Sequence, residues 1–403
     1  MNIVERFLKY VSFDTQSSEQ SNTSPTTMKQ RDLGDYLVNE LKQIGINNAY
    51  MDEYGIVYAT IKGNSNKGNK IAYIAHMDTA PDASGIDIKP RIIENYDLSD
   101  IQLNKNMVLS PNKFPSLLRH KNKDLIVTDG TTLLGADDKA GIAIIVSFAE
   151  KIIKNNIEHN DIFIAFTPDE EVGKGTVNFE VSKFNADFGY TLDGGAIEYL
   201  EYENFNAASA IVNIKGLSVH PGSAKNKMIN ASSIAMEFDQ MLPTFQRPEY
   251  TEKYEGFNHL THIDGSCEKA QLSYIIRNHD KNLLEKQKND FIEIQNFLNR
   301  KYPNDTVEVE IKDSYSNMYE IVKKYPNAIN IAKKAILNVI GKADSIAIRG
   351  GTDGAMLSYK GLPCPNLGDG GYNFHGPYEY LCIDEMKSMV DILIELNNIN
   401  INK

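Results

Sequence analysis

The sequence predicts an α/β protein: a mixed, mostly parallel sheet flanked by helices, with a smaller α/β domain inserted into it. Three observations predict this. Short apolar runs of strand length alternate with longer segments of helical periodicity. The strand exits carry acids or histidines, and that edge is where open α/β sheets keep their chemistry. The texture of the chain changes near Ala207 and changes back after Tyr325.

The opening MNIVERFLKYVSFDTQ reads as an amphipathic helix, because charges interrupt its apolar pattern and leave no uninterrupted secretory core. MKQRDLGDYLVNELKQIG is a second helix that stops at Gly45. GIVYATIKG and KIAYIAHMDTA read as strands, the second buried along much of its length. From Pro81 to Gly130 the chain is polar and weakly periodic, which predicts long loops and short strands. DDKAGIAIIVSFAEKIIKNN is a strong helix, DIFIAFTP a buried strand and DFGYTLDGG a shorter one.

From Ala207 the order is strand (AASAIVNIKGLSVHPG), helix (INASSIAMEFDQML, starting at Asn230), strand (AQLSYIIRNHD), long helix (KNLLEKQKNDFIEIQNFLNRKY) and alternating strand (DTVEVEIKDSY). This β-helix-β rhythm fits a small separate domain. The helical NAINIAKKAILNVIG and the glycine-rich AIRGGTDGAML and NLGDGGYNFHGPYEY read as a return to the first domain. The expected boundaries are 1–206 with 320–403 for the host, and 207–319 for the insertion.

Composition excludes several classes. The 403 residues are 41% apolar and 24% charged, with a net charge of -12. That balance disfavours nonspecific binding to nucleic acid or an anionic membrane. No apolar run approaches the ~20 residues of a membrane span. Cys267, Cys364 and Cys382 lie far apart with no CxxC spacing, which fits free thiols in a reducing, cytoplasmic compartment.

His76, Asp137, Glu170 with Glu171, Asp193 and His375 each fall at a predicted element boundary. Each alone has a plain structural explanation: a satisfied histidine, a helix cap or a turn. Together, several carboxylates and two imidazoles at one sheet edge would repel without cations. Two divalent ions sharing a carboxylate, about 3.5–4 Å apart, would relieve that repulsion. Mixed nitrogen and oxygen donors suit Zn²⁺, with Mn²⁺ or Co²⁺ under exchange. Asp78, two residues after His76 and on the same strand face, is placed to orient that imidazole.

The ordered motifs AHMDT, GADDKAG, PDEEVG, LDGG, SVHPG, RGGTDGA and NFHGP resemble the co-catalytic zinc exopeptidases, the family that includes carboxypeptidase G, aminoacylase and succinyl-diaminopimelate desuccinylase. The resemblance covers nearly the whole chain and is closest to the family's tripeptide aminopeptidase branch. It implies a zinc exopeptidase-like catalytic domain holding two Zn²⁺ per subunit. Asp137 would bridge the ions, His76 and Asp193 would complete one site, and Glu171 and His375 the other. An aspartate at 193 fits the aminopeptidase and dipeptidase branches. Glu170 would be the general base, Asp78 would orient His76, and the Asp137–Asp138 peptide would be cis.

The inserted domain would be the family's lid. Its His220 would stabilise the oxyanion; without the resemblance His220 reads as a capping or packing residue. Arg277 and Arg349 could receive a peptide carboxylate as bidentate donors, or form structural ion pairs. Asn317 could contact the peptide. The expected partners are a small peptide and a second copy of the chain through the lid, with no nucleic acid or membrane. The same chemistry on a dipeptide, an N-acyl amino acid or a C-terminal residue is the nearest rival reading. A metal-dependent binding protein without turnover is a rival of another class, against which the retained Glu170 and full ligand set argue. A serine or cysteine hydrolase lacks support because there is no GxSxG, and EVGKGT lacks the phosphate-loop spacing.

Overall fold

The computed structural model describes residues 1–303 and 305–402. They divide into two compact units. One comprises Met1–Tyr202, Met318–Ile346 and Thr352–Lys403; the other comprises Glu203–Asn317 and Ala347–Gly351.

The first unit is built on a seven-stranded sheet. Its spatial order is Tyr50–Met51, Val57–Ile61, Ile162–Thr167, Ile71–His76, Phe188–Gly194, Asn366–Gly368 and Leu200–Glu201. The central four run parallel, and antiparallel partners close both edges. Ile71–His76 and Ile162–Thr167 are buried at every position, as parallel strands covered on both faces must be. Helix Ala136–Lys154 packs on Ile71–His76 and against the C-terminal helix Ile383–Ile401. Gly141 makes the close approach to the sheet possible, since a Cβ there would sit 2.2 Å from the Leu192 carbonyl oxygen. A small antiparallel sheet joins Gly371–Tyr372, Tyr380–Cys382, Leu125–Val127 and Arg91–Ile93.

The second unit is a four-stranded antiparallel sheet ordered Phe257–Gly265, Lys269–Asn278, Asn206–Lys215 and Val307–Tyr315. Helices Ala231–Met241 and Lys281–Lys301 cover it and share its separate apolar core. Asn230 caps the first helix by accepting from Ser233 N at 3.2 Å. Asp280 caps the second by accepting from Asn282 and Leu283.

Four features depart from the sequence reading. Phe188–Gly194, expected to be short, has 7 residues, one more than either Ile71–His76 or Ile162–Thr167. Strand Phe257–Gly265 carries no apolar alternation because most of its residues are exposed at the sheet edge. The C-terminal helix Ile383–Ile401 is an element beyond those read from the sequence, and Ile383, Met386, Met389, Val390, Leu393 and Leu396 lie in its buried face. Ala347–Gly351, expected in the host, groups with the second unit because Arg349 bonds to its loop. Arg349 Nη1 donates to the carbonyls of Lys253 and Glu255 at 2.7 and 2.9 Å.

Candidate active site

The parallel strands end together, and their exits set the site. His76 is the last residue of its strand and is buried. Its Nδ1 lies 3.1 Å from the Asp78 carbonyl and 3.4 Å from Asp78 Oδ1. Donation from Nδ1 leaves Nε2 free to ligate. Nε2 lies 2.7 Å from Asp137 Oδ1 and 3.4 Å from Asp193 Oδ1. Asp193 is near the end of its own strand, where Asn366 Oδ1 accepts from its backbone N–H at 3.0 Å.

Asp137, the second residue of helical segment Ala136–Lys154, has non-helical backbone angles, and its peptide to Asp138 is cis. Its second oxygen, Oδ2, lies 3.3 Å from His375 Nε2, which is also 3.0 Å from Glu171 Oε2. One carboxylate therefore faces two histidines with two different oxygens. His375 occupies a loop with φ +63° and is 46% exposed.

The third parallel exit is Thr167–Pro168, where proline ends the ladder. Of the three acids that follow, Asp169 turns away. It has φ +63° and accepts from Thr26 N at 2.8 Å and Gln30 Nε2 at 2.7 Å. Glu170 and Glu171 turn inward. Asp78 Oδ1 accepts from Glu170 N at 3.0 Å and Oδ2 from Glu171 N at 3.2 Å, so one buried carboxylate orients both acids and His76. Ligand atoms of His76, Asp137 and Glu171 lie within 4.8 Å of one another, as do those of His76, Glu170 and Asp193.

The electrostatics call for cations. Burial, then the charge of Asp137, pushes Asp193 and Glu171 up to about 7. Burial and the charge of Asp193 carry Glu170 well above the carboxylate range. Burial alone would raise Asp137, but hydrogen bonds from His375 and His76 hold it well below. Hydrogen bonds to Asp137 and Glu171 lift His375 to about 11. Burial would lower His76, yet the surrounding acids, Asp193 first, carry it well above its usual value. Glu171 Oε1 is buried without a hydrogen-bond partner. An orphaned carboxylate oxygen beside oxygen and imidazole donors fits a divalent cation.

Several supporting carboxylates lie within or beside the quoted motifs, but the sequence assigns them no site role. Asp138 Oδ2 accepts from His76 N at 3.1 Å. Asp353 accepts from Thr167 Oγ1 at 2.8 Å. Asp369, directly after strand Asn366–Gly368, is buried with Oδ2 unpartnered. Glu379 accepts from three backbone N–H groups of the Asp137 loop. A further cluster, His120, Cys382 and Glu385, is already satisfied: Glu385 lies 3.1 Å from His120 Nε2 and accepts from Tyr372 at 2.6 Å.

The remaining residues singled out from sequence lie in the second unit. His220 is exposed, and its Nδ1 accepts from Gly222 N at 3.1 Å, capping its own turn. Arg277 Nη1 donates to the carbonyls of Ala208 and Ile276, both at 3.0 Å, and its guanidinium packs over Tyr315. Arg349 also donates from Nη2 to Thr251 Oγ1 at 2.9 Å. Asn317 is buried; its Oδ1 accepts from Asn204 N and its Nδ2 donates to the His279 carbonyl.

A parallel sheet with histidines and carboxylates converging at its carboxyl edge defines a metallohydrolase-type site. Residues 128–398 match the model of peptidase family M20/M25/M40. The chain belongs to that family and is a peptidase. It is 51% identical over 398 residues to Peptidase T of Clostridium acetobutylicum, covering 98% of each chain. It is 50% identical over 398 residues to Peptidase T of Halothermothrix orenii, again covering 98% of each. Its fold is similar to that of the aminopeptidase PepT from Bacillus cereus, with a TM-score of 0.80 at 20% identity, covering 100% of this chain and 98% of that one. It is also similar to a Bacillus subtilis protein described as a dinuclear metal binding peptidase, with a TM-score of 0.64 at 14% identity, covering 99% and 98%. Among the described residues no helix is long and apolar enough to cross a membrane.

Proposed function

We propose that the chain is a metal-dependent aminopeptidase that releases the N-terminal residue of tripeptides. The family membership and the Peptidase T relatives at about half identity support this reading. The observation that carries its metal chemistry is the Asp137 carboxylate, whose two oxygens face His76 and His375. We assign His76 and Asp193 to one cation and Glu171 and His375 to a second, with Asp137 shared. The donor set suits Zn²⁺, with Co²⁺ or Mn²⁺ able to substitute. When bound, the cations supply Lewis-acid polarisation and a nucleophile at neutral pH.

The rest of the chemistry belongs to the chain. Glu170 takes the proton of the attacking water and delivers it to the departing amine. Asp78 holds Glu170, Glu171 and His76 in register through the bonds described above. His220 is assigned to the oxyanion. Arg277 engages only Nη1 in hydrogen bonds among the described residues, so its other donors suit the substrate carboxylate. Arg349 and Asn317, engaged within the second unit, we assign to holding that unit together. The three free cysteines fit a cytoplasmic enzyme, and the second unit is the proposed face for a homodimer.

A panel of di-, tri- and tetrapeptides with free or blocked amines, run after chelation and after adding back zinc, cobalt or manganese, tests the reading. The expected result is metal-dependent cleavage of the first bond of free-amine tripeptides. Equal turnover of amine-blocked peptides would overturn the substrate assignment, and undiminished turnover after chelation would overturn the metal assignment. Glu170→Gln is expected to keep both cations and lose about 10²–10⁴-fold in kcat. Wild-type kcat in that variant would remove Glu170 from the base role.

A further inference from the structure

We infer that Glu379 is a positioning residue that sets the affinity of the second cation, the one assigned to Glu171 and His375. The inference rests on the two-cation reading above and goes beyond it, because Glu379 touches neither histidine. Its side chain is 1% exposed. Oε2 accepts from Leu134 N at 2.6 Å and Gly135 N at 2.9 Å, and Oε1 accepts from Asp137 N at 3.1 Å. Gly135, at φ +77°, turns the chain so that these N–H groups converge as an anion cradle. The carboxylate in that cradle arrives on the loop that carries His375.

That tie matters because the two halves of the site are supported differently. His76 and Asp193 lie at the ends of paired strands, so the ladder fixes them. His375 lies outside helix and strand, in a loop braced by Asn373 Nδ2 donating to the Tyr378 carbonyl at 3.1 Å and Glu379 N to the Gly376 carbonyl at 3.1 Å. Those bonds shape the loop internally. The three bonds of Glu379 anchor it to the segment that presents Asp137. Without them, the spacing between His375 Nε2 and Asp137 Oδ2 loses its reference.

Zinc and cobalt stoichiometry and affinity, measured by equilibrium dialysis on wild type, Glu379→Gln, Glu379→Asp and His375→Ala, test the inference without turnover. Wild type is expected to bind two cations. Glu379→Gln, whose amide presents hydrogens where the cradle needs an acceptor, is expected to hold one at wild-type affinity and the other about 10–100-fold more weakly. Glu379→Asp should fall between the two, and it serves if the glutamine variant does not fold. The weakened cation should be the one lost in His375→Ala, and excess cobalt should restore kcat. Unchanged affinity at both sites, or equal loss at both, overturns the positioning role. A wild-type protein that binds only one cation overturns the two-cation reading as well, and that result appears before any variant is made.

Discussion

At the scale of single residues, three neighbouring acids do different work. Asp169 satisfies its charge on Thr26 and Gln30, while Glu170 and Glu171 face the histidines and depend on Asp78 for their backbone orientation. PDEEVG shows three charges but not which way each points, because the φ of Asp169 and the bonds from Thr26 come from a distant part of the chain. Glu201 belongs to the same scale. It is partly buried and receives Asn366 Nδ2 at 2.7 Å. Burial pushes its carboxyl up to about 7, against the opposing Asn366 bond. The folded state therefore holds a proton that the unfolded chain releases near pH 4.5. The favourable neutral form is fully present below that pH and is lost as pH rises through about 7. Glu201→Gln should therefore unfold at higher denaturant than wild type at pH 8, by up to about 3 kcal/mol less the part screened by solvent. The gap should close at pH 4.5, and a gap that instead widens on acidification would refute the assignment.

At the scale of elements, apolar periodicity and capping residues made most of the fold legible. The buried strands ending at His76 and Thr167 and the helix beginning beside Asp137 could be read because burial on both faces leaves nearly unbroken apolar runs. The start of helix Ala231–Met241 could be read from Asn230, whose side chain accepts from Ser233 N. Asn230→Ala should cost the second unit about 1 kcal/mol, seen as a lower urea midpoint with unchanged slope. Strand Phe257–Gly265 was hidden because an exposed edge leaves no alternation. The supporting carboxylates Asp353, Asp369 and Glu379 were hidden for another reason. Asp353 and Glu379 act on groups far away in sequence, and no spacing announces a bond such as that from Leu134 N to Glu379; Asp369 accepts from Gly371 N at 2.7 Å, which reads from sequence as an ordinary turn.

At the scale of the whole molecule, the two units keep separate apolar cores, so each has its own means of staying folded. The second is drawn almost entirely from one continuous stretch of chain. Its entry and exit meet at once, since Asn204 N donates to Asn317 Oδ1 at 3.1 Å. On the host side Tyr202 and Tyr319 stack with ring centroids 6.2 Å apart. The stretch from Glu203 to Asn317 thus leaves and rejoins the host chain at one place, while Ala347–Gly351 joins the same unit from a later part of the chain. Bridging Tyr202 to Met318 with a short glycine–serine turn should leave a remnant that still melts cooperatively and still takes up two metal ions. Loss of cooperative melting would mean that the host depends on the excised stretch for its own stability. Of the residues gathered at the site, His76, Asp137, Glu170, Glu171 and Asp193 are laid down before this excursion begins, and His375 alone must wait until the chain has come back.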